Sequence, residues 1–201
     1  MGFEIGFYGI ISEPVVGWVA MADAMVACGV RWIQLRMKHG SPAERLAVAR
    51  AVRARIPVDF HYIVNDHPAL ALQVGADGVH LGQGDLSLEQ AREVLGSTAL
   101  IGLSTHSPDQ VRSACALQPA YIGMGPVFGT TTKLDAEASI GLAGLASMAR
   151  VATVPAVAIG GISGSRVAAV MDAGVDGFCA VGPVNASREP AAVIRSLLRS
   201  L

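Results

Sequence analysis

Two acids stand just past the ends of consecutive apolar stretches. The run F-H-Y-I-V (60–64) leads into Asn65-Asp66, and D-G-V-H-L (77–81) leads into Gly82-Gln83-Gly84-Asp85. If the two runs are parallel neighbours, both carboxylates lie on one rim of a sheet, where α/β folds build ligand sites. Such a pair suits Mg²⁺, a hard cation that takes oxygen ligands and retains waters and substrate phosphate oxygens. Taken singly, each acid reads better as a solvated loop residue or a helix N-cap than as a metal ligand. Their paired placement is what raises the metal reading.

The same rim collects cations and donors. Gln34, Arg36 and Lys38 alternate along and beyond R-W-I-Q-L-R, which puts them on one face. Ser104-Thr105-His106 ends another apolar run, and Gly125 to Lys133 forms a glycine- and threonine-rich loop after a further one. Arg36, Lys38 and Lys133 can neutralise a diphosphate. Gly160, Gly161 and Gly182 expose backbone N–H groups at the places where barrels bind phosphate. Two anionic subsites are therefore expected, one metal-assisted and one built of amides. For single residues plainer roles remain: Arg36 as an ion-pair partner, Ser104 as a helix cap, Gly160-Gly161 as a tight turn. His61 and His80 fall inside strands and read as core or barrel-lining imidazoles, whereas His106 is on the rim. Cys28, Cys115 and Cys179 are far apart and apolar in setting, with neither metal spacing nor an even count. They read as buried, reduced thiols of a cytoplasmic protein.

The elements that must position these groups alternate in type. Strands are expected at 7–12, 31–36, 60–64, 77–81, 99–104, 120–125, 155–160 and 176–181. Helices are expected between them, with a capping box at Ser41/Glu44 and helix starts at Pro68, Ser87, Ser107-Pro108-Asp109 and Pro190. Strand–helix units of about 25 residues imply parallel strands joined by right-handed crossovers. With no linker or composition break, the expected fold is a single-domain (β/α)8 TIM barrel spanning 1–201. A Rossmann sheet is the weaker choice, because no G-x-G-x-x-G opens the first helix.

Composition narrows the function. Of the 201 residues 52% are hydrophobic and 15% charged, as a strongly buried parallel sheet requires. A formal net charge of -1 offers no basic field for nucleic acid. The N-terminus carries Glu4 and lacks a basic region before its apolar one, so it is a poor signal peptide. The uncharged span from Ser113 to Thr132 is broken by Pro119 and Pro126, so no membrane association is expected.

As a set, Q-L-R-M-K (34–38), N-D (65–66), G-A-D-G-V-H-L-G-Q-G-D (75–85), I-G-L-S-T-H (101–106), G-P-V-F-G-T-T-T-K (125–133) and A-I-G-G-I (158–162) resemble the motif series of the thiamine phosphate synthase family. The resemblance covers nearly the whole chain in order. It implies a barrel transferase that joins hydroxymethylpyrimidine diphosphate to a thiazole phosphate, releasing diphosphate and forming thiamine phosphate. Carried over, Gln34, Arg36, Lys38, Asn65, Ser104 and Lys133 bind the pyrimidine diphosphate. Arg36, Lys38 and Lys133 help draw off its diphosphate, and Asp66 and Asp85 hold Mg²⁺. Thr130, Thr131, Thr132, Gly161, Val181 and Gly182 bind the thiazole phosphate. Three places depart from the family pattern: His67 where Arg is usual, Gly84 where an acid is usual, and Gly182-Pro183-Val184 where Ser-Ala-Ile is common. Rival readings are a thiazole tautomerase, in which a His generally stands at the place of Pro126, and a non-catalytic phosphate-binding barrel. Homo-oligomer formation stays open.

Overall fold

The computed structural model describes residues 5–129 and 138–201. Eight parallel strands close on themselves in chain order: β1 Gly6–Ile11, β2 Trp32–Leu35, β3 His61–Asn65, β4 Gly78–Leu81, β5 Leu100–Thr105, β6 Tyr121–Met124, β7 Ala156–Ala158 and β8 Gly177–Phe178. The last pairing, Gly6 with Gly177 and Phe7 with Phe178, completes the ring. Around it lie α1 Trp18–Ala27, α2 Pro42–Arg53, α3 Pro68–Val74, α4 Leu88–Leu95, α5 Pro108–Ala116, α6 Gly141–Ala149, α7 Val167–Met171, α8 Val181–Asn185 and α9 Pro190–Leu198. This is the expected (β/α)8 TIM barrel. Among the described residues, no helix is long and apolar enough to cross a membrane.

Local chemistry sets the helix starts. Ser41 and Glu44 form the expected capping box, and Ser87 with Gln90 forms another. Pro68 opens α3, and Gly75 closes it in the left-handed conformation. The largest boundary difference is at the eighth strand. The run expected at 176–181 pairs as a strand only over Gly177–Phe178, and Val181–Asn185 is helical. Pro183 fits there because the first turn of a helix needs no N–H at that place.

A repeated device locks the N-terminal ends of the strands. In G-A-D-G (75–78), Asp77 Oδ2 accepts the Tyr62 N–H at 2.8 Å, and the Asp77 carbonyl accepts the Leu100 N–H at 2.9 Å. In G-V-D-G (174–177), Asp176 Oδ2 accepts the Ala156 N–H at 2.8 Å, and its carbonyl accepts the Gly6 N–H at 3.0 Å. The same four-residue unit thus ties strands together in both halves of the barrel.

Alternation along the strands sorts side chains into layers. Most of the large apolar groups face outward and pack against the helices. Inside, Tyr8, Trp32 and Tyr121 meet edge to face, at 5.5 to 5.9 Å between ring centroids, with Ile5, Ile63 and Val157 around them. Trp32 also packs on His61 at 4.4 Å. This aromatic plug fills the N-terminal half of the barrel. One layer higher the inward positions turn polar, at Gln34, His80 and Ser104, and there the interior opens.

Candidate active site

A cavity of about 690 Å³ opens at the C-terminal rim of the strands. Gln34, Arg36, Lys38, Asn65, Asp66, Asp85, Ser104, Gly161, Val181 and Gly182 all line it. Thr130, Thr131, Thr132 and Lys133 lie outside the described residues. Sequence reasoning passed over Tyr8 and Tyr121, which form the cavity floor, and placed His80 only as a lining group. The signal was period-two alternation: Tyr8 precedes Ile10, and Tyr121 precedes Gly123, all inward.

The two acids face each other. Asp66 stands immediately past β3 with φ 63°, a left-handed conformation that costs most side chains strain but that Asp tolerates. Its N–H bonds the His80 carbonyl at 2.9 Å, which fixes it beside the end of β4. Asp85 Oδ2 accepts the Gly82 N–H at 2.7 Å, so the β4 turn is folded around that carboxylate. Withdrawal from water pushes the Asp85 carboxyl above its ordinary range. The neighbouring Asp66 carboxylate adds to the rise, against the Gly82 N–H and the Lys38 cation. Neither acid is a helix cap, since the N-cap position of α3 is His67, which makes no side-chain cap bond, and α4 is capped by Ser87. Ser104 likewise is no cap; Ser107 caps α5.

The cations are arranged around this pair. Lys38 Nζ donates to Asp66 Oδ2 at 2.5 Å, with the carboxylate the more buried partner. Arg36 Nη1 donates to Ser12 Oγ at 3.2 Å. His67, at the place of the family's usual Arg, lies 3.0 Å by Nε2 from Nη1 of Arg45, so α2 brings a guanidinium to that corner. His106 Nδ1 is 2.5 Å from the Gly125 carbonyl, which makes the ring a wall of the cavity tied to the β6 end. Asp66 and Asp85 supply hard oxygen donors only. Among the described residues no group of three or more His, Cys, Asp or Glu could hold a metal ion. Two carboxylates fit Mg²⁺ completed by water and phosphate oxygens better than a cation that needs a full protein cage.

The opposite wall is made of close backbone approaches. Gly160 and Gly161 have φ 104° and 61°, and a Cβ at Gly161 would lie 2.5 Å from the Gly129 carbonyl oxygen. The turn after β7 is thus pressed against the start of the loop after β6, and only glycine permits both the conformation and the contact. Phe128 N–H bonds the Gly160 carbonyl at 3.0 Å. Arg166 stacks on the Phe128 ring at 4.2 Å and donates to the Gly161 carbonyl at 2.6 Å. Cys179 also lines the cavity, but full burial pushes its thiol well up, and it is no ready nucleophile. Cys115 is buried as expected, whereas Cys28 is only half-buried, its Sγ donating to the Ala191 carbonyl.

The family pattern described as thiamine monophosphate synthase matches residues 10–184. The chain belongs to that family. It is 41% identical over 182 residues to the thiamine-phosphate synthase of Laribacter hongkongensis, covering 90% of this chain and 86% of that one. It is 38% identical over 198 residues to the thiamine-phosphate synthase of Pelotomaculum thermopropionicum, covering 96% and 91%. A solved structure, the thiamine phosphate pyrophosphorylase from Pyrococcus furiosus, superposes with a TM-score of 0.85 at 29% identity, covering 98% of this chain and 95% of that one. A 3-hexulose-6-phosphate synthase at 18% identity, TM-score 0.72, shares the fold alone. Membership in the thiamine monophosphate synthase family makes this chain an enzyme of thiamine phosphate synthesis.

Proposed function

We propose that the chain condenses hydroxymethylpyrimidine diphosphate with a thiazole phosphate, forming thiamine phosphate and diphosphate, with Mg²⁺ on Asp66 and Asp85. The observation that carries this reading is the meeting of two carboxylates, Arg36, Lys38, Gln34 and Ser104 around one cavity. When bound, Mg²⁺ supplies a positive charge that offsets the charge growing on the departing diphosphate. Arg36, Lys38 and Lys133 serve the same end. Lys38, paired with Asp66 in this structure, would be free to bind the diphosphate if a cation occupied that carboxylate. The bond between the pyrimidine methylene carbon and the diphosphate oxygen breaks, and its electron pair leaves with diphosphate. The electron-rich aminopyrimidine spreads the resulting positive charge, and the thiazole nitrogen lone pair forms the new C–N bond. No enzyme nucleophile is required, so catalysis is positioning and charge stabilisation. The thiazole phosphate lies against the backbone at Gly161, Val181 and Gly182, with Thr130, Thr131 and Thr132 from the loop after β6. A thiazole tautomerase is the weaker reading, because Pro126 lines the cavity and offers no proton-transfer group. Reduced thiols agree with a cytoplasmic location.

The test is direct. Purified protein given both substrates and Mg²⁺ should release thiamine phosphate and equimolar diphosphate, followed by mass spectrometry. Absence of the coupled product would refute the reading. Lys133→Ala should lower kcat by about 10²-fold, since its cation acts on charge that develops only in the transition state. An unchanged kcat with a raised KM would remove Lys133 from that role. Gly182→Leu should raise KM for the thiazole phosphate by about tenfold and leave that for the pyrimidine diphosphate nearly unchanged, because a side chain there obstructs one subsite only. Equal effects on both substrates would mean the second subsite lies elsewhere.

A further inference from the structure

A hydrogen-bond chain crosses the cavity floor. Gln34 Nε2 donates to Tyr8 Oη at 3.0 Å. Tyr8 Oη and Tyr121 Oη are 2.7 Å apart, Tyr121 Oη is 3.1 Å from His80 Nδ1, and His80 Nε2 is 2.9 Å from Ser104 Oγ. The members come from β2, β1, β6, β4 and β5, and all line the cavity. The proposed reaction gives a role to the two ends, Gln34 and Ser104, and none to the three residues between them.

Counting protons gives the chain a direction. A phenol has one hydrogen to donate. Tyr8 is buried and, among the described residues, its hydroxyl meets only Gln34, which donates to it, and Tyr121; its own hydrogen is satisfied only by going to Tyr121, whose hydrogen then goes to His80 Nδ1. A neutral imidazole carries one N–H. With Nδ1 accepting, that hydrogen is on Nε2 and is donated to Ser104 Oγ. Ser104 then has its hydroxyl hydrogen free for a ligand. Gln34, whose amide nitrogen is engaged, offers its carbonyl oxygen. Both ring nitrogens meet hydroxyl oxygens, Tyr121 Oη and Ser104 Oγ, and among the described residues neither is hydrogen-bonded to a carboxylate that would hold a second proton on the ring.

The barrel makes room for this arrangement. The His80 ring stacks on Tyr121, with centroids 5.5 Å apart and planes inclined by 29°. The inward positions beside it are glycines. A Cβ at Gly102 would lie 2.2 Å from Tyr121 Cζ and 2.6 Å from His80 Nδ1, and one at Gly123 would lie 3.3 Å from His80 Cε1. Two adjacent strands give up side chains where the imidazole and phenol must fit.

We propose that Tyr8, Tyr121 and His80 are positioning residues forming a one-way hydrogen-bond chain that fixes Ser104 as a donor and Gln34 as an acceptor. The floor then selects an uncharged nitrogen heterocycle that offers a ring nitrogen to Ser104 and an exocyclic amino group to Gln34. An aminopyrimidine has both groups; its oxo analogue, with amino replaced by carbonyl, has the wrong pattern. The assignment of this ligand rests on the reaction proposed above, whereas the direction of the chain does not.

Long-range ¹H–¹⁵N spectra of the ligand-free protein should show His80 protonated at Nε2 and bare at Nδ1. Tyr121→Phe keeps the ring contacts and removes the donor to Nδ1. It should let both tautomers appear, raise KM for the pyrimidine diphosphate about tenfold, and leave KM for the thiazole phosphate unchanged. Its preference for the amino over the oxo pyrimidine should also fall about tenfold. Should that variant not fold, Tyr8→Phe breaks the chain one link earlier and carries the same expectations. A wild-type protein with His80 protonated at Nδ1, or variants with equal KM changes for both substrates, would overturn the proposal. Failure of the wild type to turn over the two substrates would refute the reaction, while the Nε2–H tautomer would still uphold the chain.

Discussion

Asp66→Asn and Asp85→Asn should each lower the rate of thiamine phosphate formation by about 10²- to 10³-fold, the scale set by losing a preorganised charge contact at a transition state. Both amides preserve the backbone that the acids now occupy. Asn accepts the left-handed conformation of Asp66 at φ 63° better than most other residues. At Asp85, an amide oxygen can still take the Gly82 N–H that Oδ2 accepts at 2.7 Å. What disappears is charge, so a loss of rate reports the cation site and not a collapsed turn. The double variant should be little worse than the poorer single, because two ligands of one cation act as a unit. Stability should move the other way at Asp85. Its carboxyl is held above the ordinary range, first by withdrawal from water and then by Asp66. The folded state therefore binds that proton more tightly than the unfolded chain, and ionisation as pH rises through the carboxylate range costs stability. Asp85→Asn should melt no lower than the wild type at neutral pH in the absence of substrate. Steady-state rates over a Mg²⁺ series, with melting curves beside them, decide the matter. Full activity with an unaltered Mg²⁺ requirement in both single variants would sink the metal site.

The rim was legible in the sequence because two simple rules act together there. Alternation puts Gln34 and Arg36 on the inner face of β2, and parallel strands put every C-terminal end on one side. Those rules bring Asn65, Asp66, Asp85 and Ser104 to one cavity without any contact being known. They say less about the floor. Tyr8 and Tyr121 are aromatic residues in apolar strands, and such residues usually serve packing alone. Nothing local shows that their hydroxyl groups meet at 2.7 Å across 113 residues of chain. His80 was placed correctly as a lining group, but its partners come from two other strands. The helix α8 was missed for a different reason. The run D-G-F-C-A-V has strand composition, and the Cys179 N–H still bonds the Ala158 carbonyl at 2.8 Å, so the ladder stops late and without a breaker. Pro183 is the signal that could have marked it, as a residue suited to a first helical turn. The repeated G-A-D-G and G-V-D-G units were equally visible and would have aligned the two half-barrels.

Gly102→Ala should be the most damaging methyl group that can be added to the cavity floor. Its Cβ would lie 2.2 Å from Tyr121 Cζ and 2.5 Å from Tyr121 Oη. Tyr121 has no room to retreat: it is fully buried, edge-on to Tyr8 and Trp32 at 5.5 Å from each, and its hydroxyl is held by Tyr8. The other neighbour, His80 Nδ1, would be 2.6 Å away. Overpacking of this kind costs about 1–3 kcal/mol or more. For a chain of this length that corresponds to a fall in Tm of roughly 2 to 12 °C. Gly123→Ala should be milder, since its Cβ would first meet His80 Cε1 at 3.3 Å, a contact relieved by a small ring shift. Gly84→Ala is the control, with nothing within 4 Å of the added atom, and its Tm should stay within about 2 °C of the wild type. The three melting temperatures should therefore fall in the order 84, 123, 102. Loss of activity in Gly102→Ala should appear chiefly as a raised KM for the pyrimidine diphosphate, because the displaced rings are the ones that orient Gln34 and Ser104. Equal Tm values across the three variants would mean that the interior is looser than these distances require, and that the glycines are not what makes room for the Tyr121–His80 pair.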